Sequence, residues 1–255
     1  ISPTEITQPL MLTANNAIWE CLAIEPKEVN VMAGHSLGEY SALVSAKSLT
    51  FEDALILVSS RAKFMQEAVP EGEGAIAAII GLTYEDLNSI CLSICDQGLL
   101  VELANINSSN QIVISGTKRA VDKAIERSIE AGAKRAVLLP MSVPAHCELM
   151  KPASEKFEKV LNSINIQEPK CDLIQNVDAS ITNNVVKISE NLVSQIYSPV
   201  RWTDIMNLFN NLKLGKCIEC GPGKVLSGLM KRTLKGTEII SLDNYESFLD
   251  KEYII

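Results

Sequence analysis

The order of apolar segments along the chain predicts an α/β fold in which a small α+β subdomain is inserted into a larger one. An apolar strand, a tight turn and an amphipathic helix follow one another over residues 29–46. Between Gly74 and Pro140 the order becomes strand, helix, strand, strand, helix, strand, and α/β alternation returns from Met141 onwards. The segments on either side of the insertion are therefore expected to form one subdomain, residues 1–73 and 141–255.

The first part of the chain is expected to be helix, strand and helix. Apolar periodicity predicts helices over residues 9–22, 36–46 and 51–68, and an apolar run predicts a strand over residues 29–33. The third helix carries Ala54, Val58, Arg61 and Met65 at steps of four, three and four, which places them on one face. This face should point into the core.

The middle part, residues 74–140, has the element order of a ferredoxin-like split βαβ motif. A glycine follows each of its two helices, at Gly98 and Gly132, as is typical of helix ends. The predicted strands are residues 75–80, 99–104, 111–115 and 135–139, and the predicted helices are residues 84–95 and 118–131.

The last part returns to alternating helices and short strands. The predicted helices are residues 152–164, 190–195, 202–211 and 224–234, and the predicted strands are residues 172–176, 216–219 and 238–241.

Composition and charge exclude several classes of function. The formal net charge of −8 argues against a nucleic-acid-binding protein, because phosphate backbones are held by clusters of Lys and Arg. The most apolar stretch, residues 75–82, is too short to span a membrane, and residues 1–8 lack a secretory pattern. Seven scattered cysteines suit reduced thiols better than disulfides. A cytoplasmic protein with no membrane partner is expected.

The strongest motif is Gly34-His35-Ser36-Leu37-Gly38, a G-x-S-x-G pentapeptide between a predicted strand and a predicted helix. This context is that of a nucleophile elbow, in which Ser36 would be the nucleophile and the glycines would allow close backbone approach. The backbone N–H of Leu37, at the positive end of the helix dipole, could then donate to an oxyanion.

A serine nucleophile needs a base, and the chain has only two histidines, His35 and His146. The side chain of His35 should diverge from that of its neighbour Ser36. His146 is therefore the predicted base by elimination, although a lone histidine in a loop is more often structural.

Arg61 lies on the apolar face of its predicted helix, where a charge must be paired. Two partners remain open: a carboxylate of the protein in a structural salt bridge, or a carboxylate of the substrate, either gripped by two parallel hydrogen bonds. Cys217 and Cys220 are spaced as half of a zinc or redox motif, but without a second pair they are interpreted as core residues, as is Cys147, so no metal is expected.

Several segments together resemble the malonyl-CoA:acyl carrier protein transacylase family of bacterial fatty acid synthesis. They occur in the order of that family and span nearly the whole chain. The segments are Gln8-Pro9, Gly34 to Leu43, Arg61 to Gln66, Ser142 to Cys147, Tyr197 to Trp202 and Gly221 to Leu226.

The resemblance implies a hydrolase-like subdomain with a parallel sheet, which holds the nucleophile, beside the ferredoxin-like subdomain. It also implies roles for individual residues. Ser36 would be malonylated, His146 would activate it, and Arg61 would pair with the free malonyl carboxylate. The backbone carbonyl of Gln195 would orient the histidine. The polar residues expected to line the cleft are Gln8 and Asn107.

One feature of the family has no counterpart here. Its members begin with a strand and a Gly-Gln-Gly-Ser-Gln-like turn, whose glutamine backbone supplies a second oxyanion donor. Loss of one such donor typically costs about 10²–10³ in rate. The chain as given is therefore expected to be poorly active and to have unpaired strand edges that reduce its stability.

The expected reaction is transfer of a malonyl group from malonyl-CoA to the phosphopantetheine thiol of acyl carrier protein, with no cofactor of its own. Alternatives are an acyltransferase domain of a polyketide synthase, an esterase or thioesterase, and an inactive fragment or binding module. The short tail after Tyr245 favours the discrete enzyme over the synthase domain. A monomer is expected, and the basic residues proposed to dock the acidic carrier protein are Lys224, Lys231 and Arg232.

Overall fold

The computed structural model describes residues 4–141 and 143–244. Ser142 and the two ends of the predicted larger subdomain, residues 1–3 and 245–255, lie outside the described residues. Within these limits no helix is both long and apolar enough to cross a membrane. The helices are α1 (Thr4–Leu22), α2 (Gly38–Ser45), α3 (Phe51–Ala68), α4 (Tyr84–Cys95), α5 (Lys118–Glu130), α6 (Lys151–Leu161), α7 (Val185–Gln195), α8 (Trp202–Leu212) and α9 (Val225–Thr233).

Among the described residues the strands form three sheets, of which two are short parallel pairs and one is antiparallel. They are β1 (Val31–Ala33), β2 (Gly74–Ile80), β3 (Val101–Ser108), β4 (Gln111–Thr117), β5 (Arg135–Leu138), β6 (Asp172–Ile174), β7 (Lys216–Glu219) and β8 (Glu238–Ser241).

The parallel pair of β1 and β6 sets the position of the functional site. Ala33, the last residue of β1, lies opposite Ile174, the last residue of β6. The carboxyl ends of both strands therefore lie at the same edge, where ligands bind in parallel α/β sheets. The pentapeptide after β1 and Asn176 after β6 meet there. The second parallel pair joins β7 to β8.

The antiparallel sheet has the strand order β3-β4-β2-β5 and carries α4 and α5, which contact each other and the sheet. Every neighbouring pair in it is antiparallel, as a ferredoxin-like split βαβ motif requires. The predicted fold class is confirmed, with parallel strands in one part and this sheet in the other. The division of the chain at residues 74 and 140 stays a prediction.

The antiparallel sheet is joined to the rest of the molecule along β3. The Ile106 N–H donates to the Val200 carbonyl at 2.9 Å, and the Val200 N–H donates to the Ala104 carbonyl at 2.9 Å. The hydroxyl of Thr203 donates to the Ile106 carbonyl at 2.9 Å. These bonds hold the end of β3, which includes Asn107, close to the pentapeptide.

Most predicted elements are present, and the differences have local causes. Helix α2 begins at Gly38 rather than at Ser36, because Ser36 has a φ of +52° and cannot continue a right-handed helix. Helix α1 begins upstream of the predicted start, at Thr4, and Pro9 lies inside it. Helix α7 begins at Val185, where Asn184 caps it, rather than at residue 190.

Candidate active site

Ser36 occupies a strained turn between β1 and α2. Its φ of +52° lies in the left-handed region, which non-glycine residues enter at a cost of about 1–3 kcal/mol. Two side chains hold this turn: the Ser36 N–H donates to Asn176 Oδ1 at 2.7 Å, and Gln195 Nε2 donates to the Ser36 carbonyl at 3.0 Å. The strained conformation is therefore fixed from both sides.

The two glycines of the pentapeptide are not equivalent. A Cβ atom at Gly34 would lie 1.9 Å from the carbonyl carbon and oxygen of Gly38, so only glycine fits there. A Cβ atom at Gly38 would have no heavy atom within 4 Å. The expectation that both glycines serve close backbone approach is wrong for Gly38, which is the first residue of α2 and has room for a side chain.

His146 is the histidine that reaches Ser36. The two are joined by a hydrogen bond of 2.8 Å between Ser36 Oγ and His146 Nε2. On the other side of the ring, His146 Nδ1 lies 2.7 Å from the Gln195 carbonyl oxygen. A carbonyl oxygen can only accept, so Nδ1 carries the hydrogen and Nε2 is free to take the serine proton.

The surroundings of His146 keep it neutral. Burial, followed by the nearby charge of Arg61, lowers its pKa from 6.5 to about 3, against the opposing effect of the hydrogen bond to Gln195. The side chain is only 4% exposed. Nε2 is therefore unprotonated throughout the neutral pH range, as a general base must be before it accepts a proton.

His35 points away from Ser36, as its position in the sequence predicted. Its Nε2 atom lies 2.8 Å from Asn107 Oδ1, and its ring lies 5.2 Å from that of Trp202. Burial lowers the pKa of His35, so the ring is neutral and Nε2 donates to the amide oxygen. Asn107 thus contacts His35, the neighbour of Ser36 in sequence, and makes no hydrogen bond to Ser36 among the described residues.

Arg61 is buried, as the periodicity of α3 predicted, and only 2% of it is exposed. Its guanidinium donates three hydrogen bonds: Nη1 to Gln8 Oε1 at 2.6 Å, Nη2 to Ser36 Oγ at 3.1 Å, and Nη2 to Gln195 Oε1 at 3.0 Å. Its Cζ atom lies 5.7 Å from the centre of the Tyr40 ring. All of these partners are neutral.

The structural salt bridge considered for Arg61 is therefore absent from the part of the chain that the structure describes. No ion pair there includes this residue. Burial lowers its pKa, yet a guanidinium stays protonated near neutral pH. A buried cation without a direct counter-ion, next to a nucleophile, is suited to an anionic ligand.

The backbone N–H of Leu37 is placed for a further role. Leu37 is the residue before the first residue of α2, and its carbonyl already accepts from the Tyr40 N–H at 3.0 Å. Among residues 4–141 and 143–244, none accepts a hydrogen bond from the Leu37 N–H. This donor, at the amino end of a helix and beside Ser36, can bind developing negative charge.

Two residues of the site carried no predicted role: Glu39 and Asn176. Glu39 is completely buried, and its carboxyl accepts from Gln195 Nε2 and, at 3.2 Å, from the Asn176 N–H. Asn176 Nδ2 donates to the Gly34 carbonyl at 2.6 Å. The available signals were an acid directly after the pentapeptide and an amide at the carboxyl end of an apolar strand, where parallel-sheet sites form.

The three cysteines that the sequence singled out lie in packed surroundings. Cys147 is fully buried, with its sulphur 3.2 Å from the Pro144 carbonyl, and burial raises its pKa to about 11. Cys217 and Cys220 both pack in apolar clusters, and burial raises the pKa of each. A thiol with a raised pKa is a poor nucleophile at neutral pH. The described residues contain no cluster of side chains suited to a metal ion.

The three basic residues proposed for docking lie on or next to α9, and all are exposed. Lys224 pairs with Asp243 at 3.4 Å, and Arg232 Nη1 donates to Gln111 at 3.1 Å. Lys231 takes part in none of the ion pairs found in the described ranges. Of the three, Lys231 is the one for which no side-chain partner is found among the described residues.

The site combines a serine with a neutral imidazole, a buried cation and a free backbone donor. This arrangement can attack a carbonyl carbon, bind the resulting oxyanion and hold a second, negatively charged group of the same substrate. Of the predicted residues, the structure brings Ser36, His146, Arg61, Gln8 and Gln195 into one connected network.

Comparison with known proteins agrees with this chemistry. The model of the acyl transferase domain family matches residues 1–244. Over 240 residues, 94% of this chain and 76% of the other, the sequence is 45% identical to a protein of Bacillus subtilis (strain 168) named malonyl CoA-acyl carrier protein transacylase.

Solved structures agree as well. The crystal structure of FabD from Acinetobacter baumannii superposes with a TM-score of 0.93 at 42% identity, covering 99% of this chain and 81% of the other. A malonyl-transacylase solved in complex with a type II PKS acyl-carrier protein superposes with a TM-score of 0.93 at 42% identity, covering 99% of this chain and 82% of the other.

Proposed function

The chain belongs to the malonyl-CoA:acyl carrier protein transacylase family, and from this premise we propose that it moves a malonyl group from malonyl-CoA to acyl carrier protein. It is an acyltransferase, and in the proposed reaction the group travels through an ester on Ser36. The acceptor is the thiol of the phosphopantetheine arm, which belongs to the carrier protein.

The observation that carries this proposal is the position of Arg61. Its Nη2 atom is 3.1 Å from the attacking oxygen of Ser36, and its charge has no direct counter-ion among the described residues. In a malonyl thioester a single CH₂ group separates the free carboxylate from the carbonyl that is attacked. A carboxylate held by Arg61 would therefore bring the thioester carbonyl to Ser36. A grip by two parallel hydrogen bonds needs the Nη2 hydrogen that now points to Ser36 Oγ, so the carboxylate would replace that contact.

In the first half-reaction Ser36 Oγ gives its proton to His146 Nε2 and attacks the thioester carbon of malonyl-CoA. The oxyanion that forms is bound by the N–H of Leu37 at the amino end of α2. The carbon–sulphur bond then breaks, the sulphur of coenzyme A takes the proton from His146, and a malonyl ester remains on Ser36.

The second half-reaction runs the same steps with a new thiol. The phosphopantetheine thiol gives its proton to His146, its sulphur attacks the ester carbon, and Ser36 Oγ leaves with the proton. The carbonyl of Gln195 holds the imidazole by Nδ1 in both half-reactions. Gln8 holds Arg61 in place through Nη1.

The proposed chemistry uses side chains and backbone of this chain alone, together with the two thiol carriers. A cytoplasmic location and a monomeric state stay predictions from the sequence.

Mass spectrometry of the intact chain tests the proposal directly. After incubation with malonyl-CoA we expect one malonyl group per chain, mapped to Ser36 by peptide analysis, and its loss when holo acyl carrier protein is added. The Ser36→Ala variant should carry no adduct, and acyl carrier protein without its phosphopantetheine arm should leave the adduct in place.

Two results would count against the proposal. Malonyl label on a residue other than Ser36 would exclude the serine ester, and loss of the label to water at the same rate with and without holo acyl carrier protein would indicate a thioesterase.

A further inference from the structure

The carboxyl group of Glu39 contacts the two residues that hold the Ser36 turn and takes no part in the proton transfers described above. Glu39 is three residues after Ser36, in the first turn of α2, and none of its surface is exposed. Burial raises its pKa from 4.5 to about 8, opposed by hydrogen bonds from Gln195 and Asn176 and by the charge of Arg61. Burying an acid costs free energy unless hydrogen bonds compensate, so the contacts of Glu39 indicate what the carboxyl does.

The first contact of Glu39 fixes the side chain of Gln195. Arg61 can only donate hydrogen bonds, so the amide oxygen of Gln195 must face Arg61 Nη2, at 3.0 Å. The amide nitrogen then faces the other way, toward the carboxyl of Glu39 and the carbonyl of Ser36. Since the same residue holds His146 through its backbone carbonyl, Glu39 acts on the nucleophile and on the base through Gln195.

The second contact of Glu39 fixes Asn176. The backbone N–H of Asn176 donates to Glu39 Oε1 at 3.2 Å. The side chain of Asn176 then spans the turn, with Oδ1 accepting from the Ser36 N–H at 2.7 Å and Nδ2 donating to the Gly34 carbonyl at 2.6 Å. Both residues that hold the left-handed conformation of Ser36 are thus themselves held by one carboxyl group.

We propose that Glu39 is a positioning residue, which aligns Ser36 and His146 for acyl transfer by anchoring Gln195 and Asn176. The inference rests on the proposed function for the identity of the substrate, but the alignment that it describes concerns any electrophile that Ser36 attacks. It follows that Glu39 affects the rate of attack irrespective of the acyl group, whereas Arg61 in addition favours acyl groups with a free carboxylate.

The Glu39→Gln substitution tests this with almost no change of volume. Both carboxyl oxygens can accept a hydrogen bond, whether or not one of them carries a proton. The substitution replaces one of them with an NH₂ group, which must then face either the Gln195 amide nitrogen or the Asn176 N–H, and both are donors. One of the two anchors is lost. A misplacement of the reacting groups by about 1 Å can cost about 10²-fold in rate.

The experiment is a single-turnover measurement of coenzyme A release from malonyl-CoA and from acetyl-CoA. Its amplitude reports the fraction of chains with a working site, and its rate constant reports how well that site is aligned. For Glu39→Gln we expect the rate constant to fall about 10- to 100-fold for both acyl groups, at an amplitude near one per chain and with the half-saturating acyl-CoA concentration within about twofold of wild type.

Glu219→Gln is the matched control. Glu219 also accepts two backbone N–H groups, from Leu226 at 2.9 Å and Ser227 at 2.6 Å, but it caps α9 and touches neither Gln195 nor Asn176 among the described residues. Its loss should lower the melting temperature and leave the rate constant at the wild-type value.

A second arm uses a fluorophosphonate, which labels activated serines without needing a thioester. Slower labelling of Ser36 in Glu39→Gln, at equal final labelling, supports the inference even if the chain does not transfer malonyl groups. The inference is overturned if Glu39→Gln reacts with wild-type rate constants and only its amplitude or melting temperature falls. A wild-type chain in which Ser36 reacts with neither probe overturns both the inference and the proposed function.

Discussion

The guanidinium of Arg61 and the hydroxyl of Ser36 are 3.1 Å apart, although Arg61 lies on α3 and Ser36 lies in the turn before α2. The same Nη2 atom also donates to Gln195, so the cation is shared between the nucleophile and a residue that orients the base. The cation that would bind the carboxylate of the acyl group therefore lies in contact with the atom that attacks its carbonyl.

Arg61→Ala should weaken malonyl transfer far more than acetyl transfer. Removing one partner of a buried, hydrogen-bonded charge pair costs about 2–5 kcal/mol, so we expect kcat/KM for malonyl-CoA to fall about 30-fold or more. The acetyl group of acetyl-CoA has no carboxylate, so this interaction is not lost with that substrate. The measurement is the ratio of the two kcat/KM values, with the exposed Lys63 on the same helix changed to Ala as the control. Equal losses for both acyl groups would refute the role of Arg61 as a carboxylate clamp.

Gly34→Ala and Gly38→Ala should behave in opposite ways, although both change a glycine of the pentapeptide. The Cβ atom at position 34 would overlap the Gly38 carbonyl at 1.9 Å, and we expect destabilisation of more than about 4 kcal/mol. Position 38 is open and helical, so alanine there should be neutral or stabilise by up to about 1 kcal/mol. Urea unfolding measures both values. Equal destabilisation by the two variants would contradict the clash at position 34.

The rate of Ser36 acylation should not show the pH dependence of an ordinary histidine. With a pKa near 3, His146 stays neutral between pH 5.5 and 7.0, and we expect the single-turnover rate constant to change by less than about twofold. A histidine with a pKa of 6.5 would lose roughly tenfold over this range. The amplitude of the same traces controls for unfolding at low pH. An inflection near pH 6.5 would show that His146 is not desolvated.

Charge reversal at Lys231 should weaken the interaction with the carrier protein. Lys231 is exposed on α9, the family's carrier protein is expected to be acidic, and a surface charge acts mainly on association. We expect Lys231→Glu to raise KM for acyl carrier protein by about threefold to tenfold at low salt, with KM for malonyl-CoA unchanged. Lys134→Glu, on the antiparallel part, is the control. If KM for carrier protein did not change, this docking surface would be wrong.

Local patterns predicted much of the fold. Helices α3 and α4 have the predicted limits, because their apolar periodicity and their capping threonines, Thr50 and Thr83, act within a few residues. The pairing of β1 with β6 could not be predicted in this way. It depends on contacts between strands about 140 residues apart, and the register follows from packing of the whole sheet.

The candidate site shows the same limit. Ser36 and His146 could be singled out because the motif is specific and only one other histidine exists. Glu39 and Asn176 could not, because their roles depend on long-range hydrogen bonds. Glu39 bonds to Gln195, 156 positions away, and to Asn176, 137 positions away. A buried acid and an amide after a strand are common, and only the folded structure distinguishes these two.

The group that orients His146 is a main-chain oxygen, that of Gln195, where many serine enzymes use an acidic side chain. Every amino acid carries such an oxygen, so no substitution at position 195 deletes it. Variation at this position removes the side-chain grip on Ser36 and Arg61, and it affects the imidazole only indirectly, through the position of the main chain. The oxygen that orients the imidazole is thereby protected against substitution of its own residue, and only a shift of the main chain at the end of α7 can withdraw it.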